Sequence, residues 1–312
     1  MLRIGVYGVG SVGGYFGGRL AQAREEVIFI ARGAHLEAIQ QNGLRVESVK
    51  GDFHISPAQA EADPAAVGHV DIVLVGVKAW QVPEAALAIR PLVGAGTVVI
   101  PLQNGVEAMD QLAAVLGAEH VAGGLCRISS LIAAPGLIRH VGVEPHIAFG
   151  WPDGHPDPRL EQLRDAYARV GVSAEIPSDI QIEVWAKFVF IASISGVGAV
   201  TRSPAGVMRS LPETRRLLEA AIQEVATVGR AHAVKLPESV EQRTLQTIDS
   251  IPPATLASMQ RDIMDGHPSE LENQNGAVVR LGQACGVPTP THAYLYASLL
   301  PQEKHARGEL AS

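Results

Sequence analysis

Hydrophobic residues in the first half of the chain come in short, nearly unbroken runs. Ile4-Gly5-Val6-Tyr7, Val27-Ile28-Phe29-Ile30, Val70-Asp71-Ile72-Val73-Leu74-Val75-Gly76-Val77 and Thr97-Val98-Val99-Ile100-Pro101-Leu102 each read as a buried strand. Helix-compatible stretches lie between them, after Gly13, at His35 to Gln41 and up to Ile89. Strands alternating with helices predict a parallel, doubly wound sheet. From His120 to Trp151 the texture changes. Strand-like pieces surround Ala134-Pro135-Gly136 with no helix between them, which predicts antiparallel hairpins at the sheet edge. A helix from Pro158 to Val170 and a strand from Val172 to Ile176 close this half.

The second half carries no convincing strand. Helices read at about 179–198, 212–231, 238–249, 253–264, 269–285 and 290–300, punctuated by Ser203-Pro204, Leu236-Pro237, Pro252-Pro253 and Gly286-Val287-Pro288. Pro177 stops the last strand, and Ser178-x-x-Gln181 forms a capping box that opens the next helix. The expected fold class is therefore α/β, with an N-terminal Rossmann-type doubly wound sheet over 1–177 and an all-α domain over 178–312. Beyond Pro301 the chain is polar and reads as a loose tail.

Composition narrows the class. The 312 residues suffice for two domains, and 47% hydrophobic against 18% charged residues excludes disorder. With 25 basic and 32 acidic residues, net −7, and no long charge block, a nucleic-acid partner is not expected. The two cysteines, Cys126 and Cys285, are no disulfide framework and suit a reducing compartment. There is no cleavable leader pattern, and the apolar stretch Phe188 to Val200 is short for a span and follows Lys187. A soluble, cytoplasmic protein without a membrane partner is the expectation.

The opening run leads into Gly8-Val9-Gly10-Ser11-Val12-Gly13, the G-x-G-x-x-G of a dinucleotide site. Gly8 makes the turn off the strand, Gly10 lets a pyrophosphate approach, and Gly13 lets the helix sit close on the sheet. The helix N-terminus starting at Ser11 and Val12 offers free N–H groups to phosphates. A glycine-rich turn that binds nothing is the bland alternative. The strand before the motif, and the second strand at the right distance after it, favour the cofactor. That second strand ends in Arg32, where an NAD site places an acid and where arginine suits a 2′-phosphate, so the expected cofactor is NADP(H). Lys78 and Asn104 fall at the carboxyl ends of the next two strands, where ligands bind in such sheets.

Glu183-Val184-Trp185-Ala186-Lys187-Phe188-Val189-Phe190-Ile191 reads as a helix apolar on nearly every face, with Lys187 as the exception. Two readings of Lys187 stand side by side: a rim pair with Glu183 at i,i+4, or an ammonium lining a cleft between the halves, placed to donate to a developing alkoxide. The eleven histidines are scattered, with no H-E-x-x-H and no C-x-x-C, so no metal is expected, and no Gly-x-Ser-x-Gly suggests acyl transfer.

In combination, the glycine motif, Val77-Lys78-Ala79-Trp80-Gln81, Gln103-Asn104-Gly105, Glu183-Val184-Trp185-x-Lys187, Ser258-Met259-x-x-Asp262 and Ser269-Glu270-Leu271 resemble the ketopantoate reductase family (2-dehydropantoate 2-reductases), in the right order from Met1 to about Pro301. The resemblance implies an N-terminal Rossmann domain, a helical C-terminal domain and an active site between them. It implies reduction of 2-dehydropantoate to (R)-pantoate with NADPH, on the route to pantothenate and coenzyme A.

By the same resemblance, Lys187 is the general acid that protonates the keto oxygen, and Glu270 holds substrate and orients the lysine. Asn104 lies near nicotinamide and substrate, Lys78 and Gln81 on the cofactor side, and Arg32 at the 2′-phosphate. Ser258 matches a serine that contacts the substrate carboxylate, with Asp262 as a supporting acid. On spacing alone, Ser269-Glu270 is ordinary chemistry for a helix start. One departure concerns the substrate: Ile191 and Ser195 stand where the family carries substrate-binding asparagines. A related reductase of another, more apolar 2-oxo acid or ketone is the alternative, and a non-catalytic NADPH-binding redox regulator a third reading. Intact Lys187, Asn104 and Glu270 argue against the third. The apolar surface expected on the helical half is consistent with a homodimer.

Overall fold

The computed structural model describes residues 1–310. The chain forms two compact units: Met1–Gln103 with Glu107–Ile180, and Asn104–Val106 with Gln181 onward. The division falls at 180/181 rather than 177/178, and it groups Asn104–Val106 with the helical unit, which the order of elements along the chain does not reveal.

The first unit contains strands β1 (Arg3–Tyr7), β2 (Glu26–Ile30), β3 (Leu44–Ser48), β4 (Phe53–Ile55), β5 (Gln59–Glu61), β6 (Ile72–Val75), β7 (Val98–Pro101), β8 (Gly123–Arg127), β9 (Ser130–Ala134), β10 (Leu137–His140), β11 (His146–Gly150) and β12 (Ser173–Glu175). Its helices are α1 (Ser11–Gln22), α2 (Gly33–Asn42), α3 (Val82–Ala88), α4 (Ala108–Leu116) and α5 (Pro158–Arg169). The expected doubly wound sheet is present, five parallel strands in the order β5-β2-β1-β6-β7. Its order reverses at β1, which pairs with β2 on one side and β6 on the other. That reversal opens a crevice at the strands' carboxyl ends. The four residues of β6 and the four of β7 are all buried, which is why their sequences lack polar alternation.

The region from His120 to Trp151 departs from the expectation of hairpins at the edge of that sheet. The β9–β10 hairpin joins β3 and β4 in a separate four-stranded sheet, and β8 and β11 pair antiparallel in a third sheet with β12. The reason lies in α1, which carries two glycine pairs at i,i+4. A Cβ on Gly13 or Gly17 would press on β1 through Val6, whereas one on Gly14 or Gly18 would meet Ile138 of β10 or Phe53 of β4. With no side chains in the way, α1 is covered by sheet on two sides, and the hairpin is drawn to its second face.

The second unit contains α6 (Ile180–Thr201, whose first residue belongs to the first unit), α7 (Ala205–Ser210), α8 (Pro212–Ala231), α9 (Val240–Ser250), α10 (Ser258–Met264), a π-turn at Glu272–Gly276, α11 (Ala277–Cys285) and α12 (Pro290–Ala306). Helix α6 is its spine. Trp185, Phe188, Val189, Ala192, Ile194 and Val197 pack in one core with Leu218, Ile222 and Val225 of α8. Among the described residues α6 is the one helix long and apolar enough to cross a membrane, with a mean hydropathy of 1.6, yet 61% of that window is buried in the fold. It reads as a core helix.

Three helical expectations need correction. No helix occupies 253–257, because the carbonyls of Thr255 and Pro253 accept from the N–H groups of Ala205 and Gly206 at the start of α7, an element absent from the sequence reading. The stretch 269–285 is a turn, a π-turn and then α11 rather than one helix. From Pro301 to Ala306 the chain is helix rather than loose tail, since α12 continues through that proline and buries Glu303 to 4% exposure; residues 311–312 of the expected tail lie outside the described residues. Pro301 removes a hydrogen bond to the carbonyl four residues back, but that residue, Ala297, is exposed and can bond water.

Candidate functional site

In the first unit, the glycine motif forms the turn from β1 into α1. Gly8 has φ +89°, a conformation that side-chain-bearing residues rarely adopt, and its N–H bonds the carbonyl of Ile30 at 3.1 Å. A Cβ on Gly13 would lie 2.2 Å from the Gly8 carbonyl oxygen, so that position must lack one. A Cβ on Gly10 would meet only the Gly76 carbonyl oxygen, at 3.9 Å, so Gly10 leaves open space rather than filling a packing contact. Ser11 and Val12, both half-buried, begin α1, whose N-cap Gly10 supplies no side-chain cap and whose first turn holds no acid. This is a cradle with N–H donors, positive dipole and room for a phosphate, and it fits a dinucleotide.

Arg32 lies two residues after β2, as the N-cap of α2, and its side chain remains 72% exposed, with the Tyr7 hydroxyl at 3.3 Å and Glu84 at 3.7 Å. Its guanidinium is available to a 2′-phosphate. Lys78 and Gln81 bound a single 3₁₀ turn after β6. The Lys78 N–H donates to Gln81 Oε1 at 3.2 Å, and the ammonium lies 5.6 Å from the Trp80 ring centroid. The sequence assigns Gln103, the residue before Asn104, no role. Buried, it donates from Nε2 to the carbonyls of Val75 and Val77 at 2.8 and 3.0 Å, tying the end of β6 to that of β7.

In the second unit, Asn104 and Glu270 meet directly: Asn104 Nδ2 donates to Glu270 Oε2 at 2.9 Å. The same oxygen accepts from Gln274 Nε2 at 3.2 Å. Glu270 is 5% exposed and Gln274 fully buried, so the carboxylate is presented by two amides in a largely dry setting. Gly105, with φ +99°, lets the Asn104 loop turn against the π-turn, where a Cβ would lie 3.0 Å from the Asn273 carbonyl oxygen. The sequence motifs do not include Gln274, although its spacing of four from Glu270 is a usable signal.

Lys187, Ile191 and Ser195 follow one another at intervals of four along α6. Lys187 is half-buried, Ile191 packs against the helical core, and Ser195 is fully buried with no hydrogen-bond partner for its Oγ. Nearby, Asn275 Nδ2 donates to the Ala192 carbonyl at 3.1 Å, and its side chain occupies the space a Cβ on Gly196 would need. Gln274 Oε1 and Asn275 Oδ1 are likewise buried without partners. Ser258 and Asp262 lie on α10, both half-buried. Among the described residues no group of three or more His, Cys, Asp or Glu is arranged to hold a metal ion.

The sequence and fold resemble those of known proteins. The family profiles "Ketopantoate reductase PanE/ApbA" and "Ketopantoate reductase PanE/ApbA C terminal" match residues 4–154 and 179–303. A 2-dehydropantoate 2-reductase of Mesorhizobium japonicum is 32% identical, covering 93% of this chain and 94% of its own. An uncharacterised oxidoreductase of Bacillus subtilis, YkpB, is 29% identical over 94% of this chain and 96% of its own. Among solved structures, a PanE/ApbA family ketopantoate reductase from Ralstonia eutropha superposes with a TM-score of 0.88 at 32% identity, covering 98% of this chain and 99% of that one. A 2-dehydropantoate 2-reductase from Geobacter metallireducens gives 0.89 at 29% identity, over 96% and 99%. The chain belongs to the ketopantoate reductase family, and it is an NADP-dependent oxidoreductase acting on a keto or CH–OH group.

Proposed function

We propose that this protein reduces 2-dehydropantoate to (R)-pantoate with NADPH. The observation that carries the reading is the Glu270 carboxylate held by Asn104 and Gln274. NADPH, when bound, supplies the hydride. Gly8, Gly10 and Gly13, with the N–H groups from Ser11 and Val12 onward, hold its pyrophosphate, Arg32 its 2′-phosphate, and Lys78 and Gln81 flank it. Lys187 donates a proton to the keto oxygen as it becomes an alkoxide, and Glu270 keeps substrate and ammonium in register. Ser258 contacts the substrate carboxylate. The partnerless oxygens of Ser195, Gln274 and Asn275 suit a substrate that brings a hydroxyl donor, as this one does. Both cysteines are free, in keeping with a reducing compartment, and we place the enzyme in the cytoplasm.

A second reading, a more apolar 2-oxo acid, draws support from Ile191, which turns an amide position of the family into part of the helical core. Steady-state NADPH oxidation with ketopantoate and a panel of unhydroxylated 2-oxo acids separates the two. Saturable turnover best with ketopantoate, lost about 10²–10⁴-fold in Lys187→Ala with NADPH still bound, is the expected result. A preference for an unhydroxylated acid transfers the reading to the second substrate class. Tight NADPH binding without turnover on any of them removes both.

A further inference from the structure

We infer that Glu303, near the end of α12, is a positioning residue for Glu270, which it orders through Ser269. The inference rests on the role given to Glu270 above. Glu303 is a carboxylate buried to 4% exposure, and its oxygens accept from Ser269, in the turn before Glu270, and from the Arg307 guanidinium. The Ser269 N–H lies 3.1 and 3.0 Å from its two oxygens, and the Ser269 hydroxyl donates to Oε2. Arg307 donates to Glu303 Oε1 at 2.6 Å and to the Ser269 carbonyl at 2.9 Å. Both backbone polar groups of Ser269 are thereby taken by one helix end.

The far side of Glu270 is held as firmly. The Leu271 N–H donates to Ser269 Oγ at 3.2 Å, and the Leu271 side chain is fully buried with Met259, Ile263 and Leu299. Peptide planes on both sides of Glu270 are thus set before its side chain meets Asn104 and Gln274. Burying a carboxylate is costly, and an apolar side chain would close a helix end more cheaply. What the carboxylate adds is direction, and reacting groups misplaced by about 1 Å can lose 10²-fold in rate.

The test compares Glu303→Ala, Glu303→Gln, Glu270→Gln and the double variant Glu270→Gln/Glu303→Ala, using whichever 2-oxo acid the wild-type enzyme turns over. Rates are normalised to folded protein. Glu303→Ala is expected to lower kcat about 10- to 100-fold while KM for NADPH stays within about twofold. Glu303→Gln retains an acceptor for Ser269 and should fall in between, so the comparison survives if the alanine variant does not fold. In the double variant Glu303→Ala should add nothing to the Glu270→Gln loss, because a residue acting through another has no effect once that other is gone. An effect of Glu303 on the rate that does not pass through Glu270 would instead multiply the two defects. If Glu270→Gln abolishes turnover while both Glu303 variants keep wild-type kcat, or if the losses multiply, the inference is wrong and the role of Glu270 stands. If Glu270→Gln retains full turnover, both fall.

Discussion

Asn104 and Glu270 stand 166 positions apart in the chain, and the amide of the first donates to the carboxylate of the second at 2.9 Å. A bond to a charged acceptor is worth about 1.5–3 kcal/mol. Asn104→Ala is therefore expected to reduce kcat/KM for the 2-oxo acid by about 10- to 100-fold. Asn104→Asp, nearly the same shape, should be worse, since it sets a second carboxylate against Glu270. Steady-state kinetics of the two variants check this, and an aspartate variant more active than the alanine one would contradict it.

Gly10 and Gly13 separate binding from folding. Gly13→Ala forces a Cβ against the Gly8 carbonyl and should destabilise the protein by about 1–3 kcal/mol, read as a lower urea midpoint. Gly10→Ala meets open space in the protein and should leave stability within about 1 kcal/mol of wild type. It should nonetheless weaken NADPH binding strongly in a fluorescence titration, because the methyl would occupy the path proposed for the pyrophosphate. Equal NADPH affinity in Gly10→Ala and wild type would place the dinucleotide elsewhere.

The role proposed for Arg32 is to set the choice of nicotinamide cofactor. Reversing its charge with Arg32→Asp should raise KM for NADPH about 10- to 100-fold, with little change for NADH. An unaltered ratio of the two KM values would show that another group reads the 2′-phosphate.

Asp157 makes stability depend on acid pH. It precedes α5, accepting from the Arg159 N–H at 2.8 Å and from Trp151 Nε1 at 3.0 Å. Burial pushes its carboxyl up, but the bonds from the Arg159 guanidinium, the Arg159 N–H and the Trp151 indole outweigh that and bring it from an ordinary 3.8 down to about 2. With the folded value below the unfolded one, its stabilisation is complete above the ordinary value and is lost as pH falls toward about 2. Asp157→Ala should cost about 1–2 kcal/mol at neutral pH. In urea titrations, that gap from wild type should close across the same acid window. A gap that persists below it would mean the charge of Asp157 is not what stabilises the cap.

Local rules account for much of this protein. Unbroken apolar runs identify β1, β2, β6 and β7, because a strand covered on both faces has no reason to alternate. The glycines from Gly8 to Gly13 announce the strand-to-helix turn proposed as the phosphate cradle, since the dihedral and close-approach demands act within a few residues. Helix α6 declares its burial by being apolar all round. Other features depend on partners far along the chain. The β9–β10 hairpin leaves the parallel sheet because α1 has a second glycine face to cover. Pro301 and the polar residues after it look like a helix stop until Ser269 and Arg307 are placed around Glu303. Asn104 follows a strand of the first unit yet bonds within the second. Periodicity records which face of an element is buried; a hydrogen bond between side chains more than a hundred positions apart leaves no period, and it exists only once the chain has folded.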